Sequence, residues 1–334
     1  MATTKTKTLQ DVVYAPKRES PPASESLNFF PHLPPHQDPT TGIVSKLPSL
    51  WIPYAQLMRL DRPAGLYAFY FPFLIGLMYA ACISPVPVKP LAVLKFGAIL
   101  LLLNVLLRGA SCTWNDNFDQ EFDRRVERCR HRAIARGAVS TRNAHIFTAA
   151  QLAAMCPLMS LFPAACTPHM LAALVLFFVY PLMKRVTFYS QVFLGFPVAW
   201  AIVFSVAALG IDPLQAGVRG PTLALCAANI FWTITYDTIY AHQDVADDAK
   251  AGVKSMALRF ENSTKIVASV LSVAQVLSLA LVGIWAGFSS IYFVGTVGGV
   301  AAAMAYYIYD VDLKRPESCG AWFHDQMCSY KNPQ

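Results

Sequence analysis

Two acidic segments carry side chains at a spacing that suits metal binding. They read "NDNFDQEFD" at 115–123 and "YDTIYAHQDVADDAKAGVKS" at 236–255. Side chains four residues apart fall on one face of a helix. The residues with this spacing are Asn115, Asp119 and Asp123 in the first segment and Asp244 and Asp248 in the second. Facing stripes of carboxylates repel one another unless a cation lies between them. Oxygen ligands without His or Cys favour Mg²⁺, which proteins often share with substrate phosphates.

Basic side chains accompany the two acidic stripes. They are Arg128 after the first stripe, the adjacent pair Lys184 and Arg185, and Lys254 after the second stripe. Carboxylates that hold Mg²⁺, with Arg and Lys on the same face, form a site for a doubly phosphorylated group. The pattern therefore indicates an enzyme that acts on a polyprenyl diphosphate or a similar lipid phosphate. Solvated loop acids and a carboxylate-based membrane transporter are the alternatives, although a transporter usually buries its acids near the middle of the bilayer.

The composition places these residues on a membrane protein. Of the 334 residues, 55% are hydrophobic and 14% are charged, whereas a soluble domain has about 25% charged residues. Apolar runs long enough to cross a bilayer, about 20 residues each, predict a polytopic all-α protein with eight spans. The spans are predicted at 64–84, 91–114, 144–163, 168–186, 190–210, 221–241, 264–287 and 290–310. The net charge of +7 fits the basic loops of a membrane protein better than nucleic-acid binding.

The distribution of charge predicts the topology. The loop at 124–142 has seven arginines and one acid, and the loops after the predicted fourth and sixth spans are also basic. Because basic loops stay on the cytosolic side, we expect both termini and both acidic stripes on that side. The chain divides into a disordered tail at 1–50, rich in Pro and Ser, a transmembrane domain at 51–312 and a short polar tail at 313–334.

Several segments, in order along the chain, resemble the motifs of the UbiA superfamily of intramembrane prenyltransferases. The first acidic segment is similar to the family's NDxxDxxxD motif and continues into "RRVERCRHRAIARGAVS". The others are "LMRLDRPAGLYAFYFP" at 57–72, "YPLMKRVTFYSQVFLG" at 180–195 and the second acidic segment. The likeness covers residues 51–310 and is greatest for the 4-hydroxybenzoate polyprenyltransferase-like branch, of the fungal meroterpenoid type.

The resemblance implies a role for each candidate residue. The residues expected to hold Mg²⁺ and the diphosphate are Asn115, Asp119, Asp123, Asp244 and Asp248. Those expected to contact phosphate oxygens are Arg128, Lys184, Arg185 and Lys254. The expected catalytic residues are Asp119, Asp244, Asp237 and Tyr240, of which the last two lie near the reacting carbons.

The resemblance also implies a fold, with one departure. The family fold is an all-α bundle, usually of nine spans, around a cavity. After the eighth predicted span this sequence has no apolar run of span length, so we expect the usual ninth span to be missing. One wall of the cavity is then left without an expected element.

The implied activity is Mg²⁺-dependent transfer of a prenyl group, expected to be farnesyl, from its diphosphate to a carbon of a phenolic, polyketide-derived acid in secondary metabolism. The alternative within the family is the 4-hydroxybenzoate polyprenyltransferase of ubiquinone biosynthesis. A transporter or an inactive scaffold is the alternative outside it. The expected partners are farnesyl diphosphate, the phenolic acid and the lipid bilayer, with neither nucleic acid nor a protein partner predicted. We expect the endoplasmic reticulum membrane, with the mitochondrial inner membrane as the alternative.

Overall fold

The computed structural model describes residue 30 and residues 32–327. Residues 1–29, residue 31 and residues 328–334 lie outside the described residues. The tail expected at 1–50 is therefore described only in part. Residue 30 and residues 32–35 belong to a unit of their own, with a turn in which the Leu33 N–H donates to the Phe30 carbonyl over 3.1 Å. Residues 36–327 form a helical bundle.

A part of the expected N-terminal tail is folded. Val44–Lys46 is a single turn of 3-10 helix. Val44 is buried and packs against Ile52 and Ala55 at the start of the bundle. Val44 and the partly buried Leu47 are the residues of this segment that pack against the start of the bundle.

Helices make up the bundle, and no strand occurs within residue 30 and residues 32–327. The helices are α1 (Ile52–Leu57), α2 (Pro63–Ile83), α3 (Pro90–Asp123), α4 (Thr141–Met159), α5 (Cys166–Val186), α6 (Ser190–Ala208), α7 (Arg219–Ala241), α8 (Val245–Ala251), α9 (Met256–Phe260), α10 (Thr264–Ala286), α11 (Ser290–Tyr292), α12 (Gly299–Asp310) and α13 (Pro316–Met327). A π-helical stretch, Phe293–Gly298, joins α11 to α12 without a break. The all-α prediction is confirmed.

A long helix lies at each of the eight places where a span was predicted, but the count of eight spans is not confirmed. Within the described residues, six stretches are long and apolar enough to cross a membrane: Pro63–Ile83, Pro90–Asp123, Cys166–Val186, Ser190–Ala208, Met256–Ala286 and Ser290–Asp310. The two helices outside this set, α4 and α7, carry polar residues that are buried in the bundle, such as Gln151 in α4 and Asn229 and Thr233 in α7. Their polar side chains lower the hydropathy while packing against protein.

The length of α3 places the first acidic stripe. This helix has 34 residues, which corresponds to about 51 Å at 1.5 Å per residue. The hydrocarbon core of a bilayer is about 30 Å thick. The last turns of α3, from Asn115 to Asp123, therefore extend beyond the apolar part of the helix and carry the carboxylates to the membrane edge.

The C-terminal segment contains a helix that the sequence analysis did not predict. The helix α13 has 12 residues, too few to cross a bilayer, and replaces part of the expected polar tail. Cys319, Trp322 and Met327 are buried against α2, α7 and α12. The indole N–H of Trp322 donates to the Tyr307 carbonyl over 2.8 Å. The helix α13 is amphipathic and lies against the bundle, so its sequence has no apolar run of span length that would predict it.

The backbones of α2 and α6 come into close contact where the two helices cross at Gly76. A Cβ atom on Gly76 would lie 2.7 Å from the Ile202 Cα atom. The Ser205 hydroxyl in α6 donates to the Phe73 carbonyl in α2 over 2.9 Å. Small residues permit such contacts between helix backbones in membranes.

We therefore expect Gly76→Ala to lower stability by about 1–3 kcal/mol, because the new methyl group overlaps backbone that cannot move aside. The midpoint of thermal unfolding in detergent measures this effect. Gly299→Ala is the matched control, because Gly299 is helical and no atom lies within 4 Å of its added Cβ. Equal midpoints for the two variants would contradict the close crossing.

Candidate active site

A cavity of about 630 Å³ lies at one end of the bundle and contains nearly all the predicted site residues. The predicted residues that line it are Asn115, Asp119, Asp123, Arg128, Lys184, Asp237, Tyr240, Asp244, Asp248 and Lys254. The cavity is polar where these side chains converge. Its other walls include Ala68, Phe69, Phe177 and Leu194, which are apolar. The arrangement suits a ligand with a charged head and a hydrocarbon chain.

Arg185 is the predicted site residue that the structure does not bring to this cavity. Its guanidinium donates to the Phe118 carbonyl over 2.5 Å and lies 5.1 Å from the centre of the Phe122 ring. The neighbouring Lys184 points into the cavity. Adjacent residues on a helix point about 100° apart, so only one of the two can face the site.

The two acidic segments reach the cavity from different elements. The end of α3 supplies Asn115, Asp119 and Asp123. The second segment runs from the end of α7 through a turn of 3-10 helix, His242–Asp244, into α8, which carries Asp248. Gly252 ends α8 with a positive φ of 78°. This left-handed turn suits Gly and directs the chain so that the Lys254 N–H donates to the Lys184 carbonyl over 3.0 Å.

Basic side chains join the acidic segments. Arg128 follows the first segment, yet its Nε lies 2.9 Å from Asp244 Oδ1 in the second. Its Nη1 donates to the Tyr240 hydroxyl over 2.9 Å. Lys184 Nζ in α5 lies 2.8 Å from Asp119 Oδ2 in α3. These bidentate and charge-assisted contacts are the stronger kind of hydrogen bond.

A further cluster of ion pairs, formed by Arg59, Asp116 and Arg132, adjoins the first acidic stripe. Asp116 is fully buried, and its Oδ1 lies 2.6 Å from Arg59 Nη2 and 3.2 Å from Arg132 Nη1. Arg132 Nη1 also lies 2.9 Å from Asp123 Oδ1. Arg59 has a positive φ of 56°, which is uncommon for residues other than Gly. The segment between α1 and α2 thus bends sharply to bring Arg59 under α3.

The sequence analysis did not assign this cluster to the site. Arg132 lies in the segment that continues the first motif, and Arg59 lies in the segment at 57–72. Their place in segments that resemble family motifs is the signal that could have assigned them to the site. The contact that orients Arg59 comes from Arg108 in α3, which donates to the Arg59 carbonyl over 3.0 Å and to the Arg62 carbonyl over 3.1 Å. No sequence pattern predicts that an arginine within an apolar helix, such as Arg108, donates to backbone carbonyl groups.

Unpaired oxygens indicate where a cation fits. Asn115 Oδ1 and Asp119 Oδ1 are buried and have no hydrogen-bond partner, which is costly for polar atoms. Burial, reinforced by the neighbouring Asp244 carboxylate, raises the pKa of Asp248 to about 7. A bound divalent cation would pair with these oxygens and favour the ionised form of Asp248. The residues present therefore fit Mg²⁺.

In this structure, arginine and lysine side chains form ion pairs with the carboxylates of the site. Among the residues that the structure describes, no three or more Asp, Glu, His or Cys side chains converge as a complete metal site. Arg128 holds Asp244, Lys184 holds Asp119 and Arg132 holds Asp123.

The fold and this cavity define the chain as a polytopic helical membrane enzyme for a substrate with a charged head and an apolar chain. Comparison with known proteins agrees. The profile of the UbiA prenyltransferase family matches residues 69–330. The chain belongs to the UbiA prenyltransferase family, and it is a membrane-embedded prenyltransferase. The alternatives of a transporter and of an inactive scaffold are therefore set aside.

Fungal prenyltransferases are similar to this chain along most of their length. The prenyltransferase ascA of Acremonium egyptiacum is 42% identical over 287 residues, covering 86% of this chain and 84% of the relative. The DMOA farnesyltransferase nvfB of Aspergillus novofumigatus is 34% identical, covering 80% and 83%. The mitochondrial 4-hydroxybenzoate polyprenyltransferase of Saccharomyces cerevisiae is 38% identical, covering 84% and 74%.

A solved structure has the same fold. It is a UbiA homologue from Archaeoglobus fulgidus bound to GPP and Mg²⁺, with a TM-score of 0.59 and 21% identity. The match covers 83% of this chain and 98% of that chain. The likeness extends over the bundle that surrounds the cavity and confirms the predicted fold class.

The buried cluster generates a prediction. We expect Asp116→Asn to destabilise the protein by about 3–5 kcal/mol, because Arg59 and Arg132 then lose a buried countercharge. Glu121→Gln is the matched control, since Glu121 is also an acid near the end of α3 paired with an arginine, Arg124, but is exposed. It should cost at most about 1 kcal/mol. Thermal unfolding of both variants in detergent measures the difference, and equal losses would contradict the structural role of Asp116.

Proposed function

We propose that this protein transfers a farnesyl group from farnesyl diphosphate to a ring carbon of a phenolic acid of polyketide origin, with Mg²⁺ as cofactor, in fungal-type meroterpenoid biosynthesis. The observation that carries the proposal is the convergence of both acidic segments, Arg128 and Lys184 on one cavity with apolar walls. The similarity to ascA and to a fungal farnesyltransferase supports the donor and the pathway class. Prenylation of 4-hydroxybenzoate in mitochondria is the second candidate, favoured by the similarity to the yeast enzyme.

The acidic residues form the metal-binding part of this proposal. The residues that would hold Mg²⁺ are Asn115, Asp119, Asp123, Asp244 and Asp248. Bound there, Mg²⁺ would neutralise charge on the diphosphate and make it a better leaving group. The unpaired oxygens of Asn115 and Asp119 support their part in this set.

The basic residues form the phosphate-binding part. Arg128 and Lys184 lie in the cavity and already make charge-assisted hydrogen bonds to carboxylates. On donor binding they would exchange these partners for phosphate oxygens, a trade between anions that leaves neither cation without a countercharge. Lys254 lines the same cavity, and its ammonium donates to the Val186 carbonyl over 3.3 Å, a contact that it would exchange for a phosphate oxygen on donor binding. The position of Arg185 outside the cavity gives its proposed phosphate contact no support.

The reaction would then follow from charge and aromatic surroundings. The allylic C–O bond breaks, the electron pair leaves with the diphosphate, and a resonance-stabilised carbocation remains. The rings of Tyr236 and Tyr240 line the cavity, and aromatic faces attract cations. An electron-rich phenolic ring forms the new C–C bond and then loses a proton. Asp237 lies between the two tyrosines in sequence and also lines the cavity, so we assign it to stabilising the cation and accepting that proton.

The proposal includes a location. The loop at 124–142 carries its arginines at the same end of the bundle as the cavity. The preference of basic loops for the cytosolic side supports an active site that faces the cytosol. We propose the endoplasmic reticulum membrane, and the mitochondrial inner membrane belongs with the second candidate.

Microsomal membranes containing the enzyme test this function with radiolabelled farnesyl diphosphate and a panel of phenolic acids that includes 4-hydroxybenzoate. We expect prenylated product that EDTA abolishes and added Mg²⁺ restores. Asp119→Asn and Asp244→Asn should each lower turnover about 100-fold or more, because each removes a carboxylate that would hold the Mg²⁺ that neutralises the leaving group. Asp212→Asn, in the loop between α6 and α7 and outside the cavity, is the control.

The outcomes separate the candidates. Product from polyketide-type acids in preference to 4-hydroxybenzoate supports the first candidate, and the reverse preference supports the second. Unchanged turnover in both Asp119→Asn and Asp244→Asn would overturn the assignment of the site.

A further inference from the structure

An apolar cavity of about 610 Å³ lies along the same helices that line the active site. Leu74 and Ile75 of α2, Trp232 of α7, and Met304 and Tyr307 of α12 are among its walls. The active-site cavity is lined by the neighbouring turns of the same elements, such as Ala68 of α2 and Tyr236 of α7. The apolar cavity therefore begins along the bundle where the active-site cavity ends.

Aromatic rings lie between the two cavities. We call Trp232, Tyr236 and Phe323 the aromatic wall. The ring centres of Trp232 and Tyr236 are 5.0 Å apart, and those of Tyr236 and Phe323 are 5.4 Å apart. Tyr236 and Phe323 face the active-site cavity, and Trp232 faces the apolar cavity. Because the rings of Trp232 and Tyr236 are in contact, the wall is two rings thick at that point.

The short helix α13 holds Phe323 in this wall. The Trp232 indole N–H donates to Gln326 Oε1 over 3.2 Å, which ties α13 to α7. Gly320 lies so close to the second acidic segment that an added Cβ would be 2.8 Å from Gln243 Oε1. With Trp322 bound to the Tyr307 carbonyl, the backbone on both sides of Phe323 is fixed. Phe323 therefore forms a firm boundary.

We propose that Phe323 limits the length of the prenyl chain that the active site accepts. The inference rests on the proposed function, because it takes an allylic diphosphate as the donor. An isoprenoid chain extends from the polar end of the active-site cavity along its apolar walls and stops at the aromatic wall. A chain with one more isoprene unit overlaps the Phe323 ring. Removal of that ring would enlarge the active-site cavity toward the apolar cavity, whose aliphatic and aromatic walls suit the additional unit.

Phe323 is the member of the wall that can be changed with the least effect on chemistry. Tyr236 precedes Asp237, which we assign to the reaction. Trp232 donates to Gln326 Oε1, so its loss leaves the amide oxygen of a half-buried residue without that partner. The Phe323 ring contacts the rings of Tyr236 and Tyr240 and makes no hydrogen bond that its truncation would break. Its loss enlarges the site and leaves the polar end intact.

The test measures binding of the non-reactive farnesyl and geranylgeranyl S-thiolodiphosphates with Mg²⁺ to the purified full chain in detergent. The wild-type protein should bind the C15 compound more tightly than the C20 compound. In Phe323→Ala the ratio of C20 to C15 affinity should rise about tenfold or more, the scale on which apolar pockets discriminate added carbons. Turnover of the corresponding diphosphates, with an accepted phenolic acid, should shift in the same direction.

Two further variants make the result specific. Phe323→Leu keeps apolar bulk on α13 and should shift the ratio less, so it serves if the alanine variant is unstable. Ala303→Phe adds a ring to a wall of the apolar cavity, and in the Phe323→Ala background it should reverse the gain in C20 affinity. Phe196→Ala is the control, since Phe196 is an exposed residue of α6 that lines neither cavity.

The outcomes are distinguishable from failure of the proposed function. If neither donor analogue binds the wild-type protein, the donor assignment fails. If the wild-type protein binds them and both Phe323 variants keep its C20 to C15 ratio, the donor assignment stands and the role of Phe323 is overturned. A ratio that shifts equally in Phe196→Ala would also overturn it, because loosening of the fold would then explain the change.

Discussion

Charge burial at the edge of the membrane is the constraint on which the rest of this structure depends. An unpaired buried charge costs several kcal/mol, and four carboxylates at this edge are paired with cations. The pairs are Asp116 with Arg59, Asp119 with Lys184, Asp123 with Arg132, and Asp244 with Arg128. Most of them join elements that are far apart in sequence and so fix the ends of α3, α5 and α7 around one cavity. Two of these cations, Arg128 and Lys184, are the ones that we propose for the diphosphate, so the contacts that stabilise the free site would also prepare it for the donor.

The remaining elements follow from the need to close a site that is charged at one end and apolar at the other. The extra turns of α3 take its carboxylates past the hydrocarbon. Arg108 holds the bend before α2 by its carbonyl groups and so places Arg59 beneath Asp116. The short helix α13 packs against α7 and the second acidic segment, and its Phe323 lines the cavity. Its 12 residues are enough because closing the cavity requires a docked amphipathic surface and does not require a helix that crosses the bilayer.

The spacing of residues in the sequence predicted much of the site, and the remaining features depend on tertiary contacts. The four-residue spacing of Asn115, Asp119 and Asp123 predicted one helical face, and the structure places all three on the cavity. The adjacent pair Lys184 and Arg185 could not be separated from sequence, because the side that faces the cavity depends on how α5 packs. The roles of Arg59 and Arg108 depend on a backbone bend that no periodic pattern encodes. The helix α13 was missed because amphipathic helices of its length are not distinguished from polar loops by a search for spans.

The most direct test of the central claim is a double-mutant cycle on donor binding. The claim is that the two acidic segments act together, through Mg²⁺, on one diphosphate. Affinity for farnesyl S-thiolodiphosphate would be measured with saturating Mg²⁺ for the wild-type protein, Asp119→Asn, Asp244→Asn and the double variant. Shared binding predicts a coupling energy of about 1 kcal/mol or more between the two substitutions, which disappears when Mg²⁺ is removed. Additive losses, with or without Mg²⁺, would show that the segments act separately and would contradict the account.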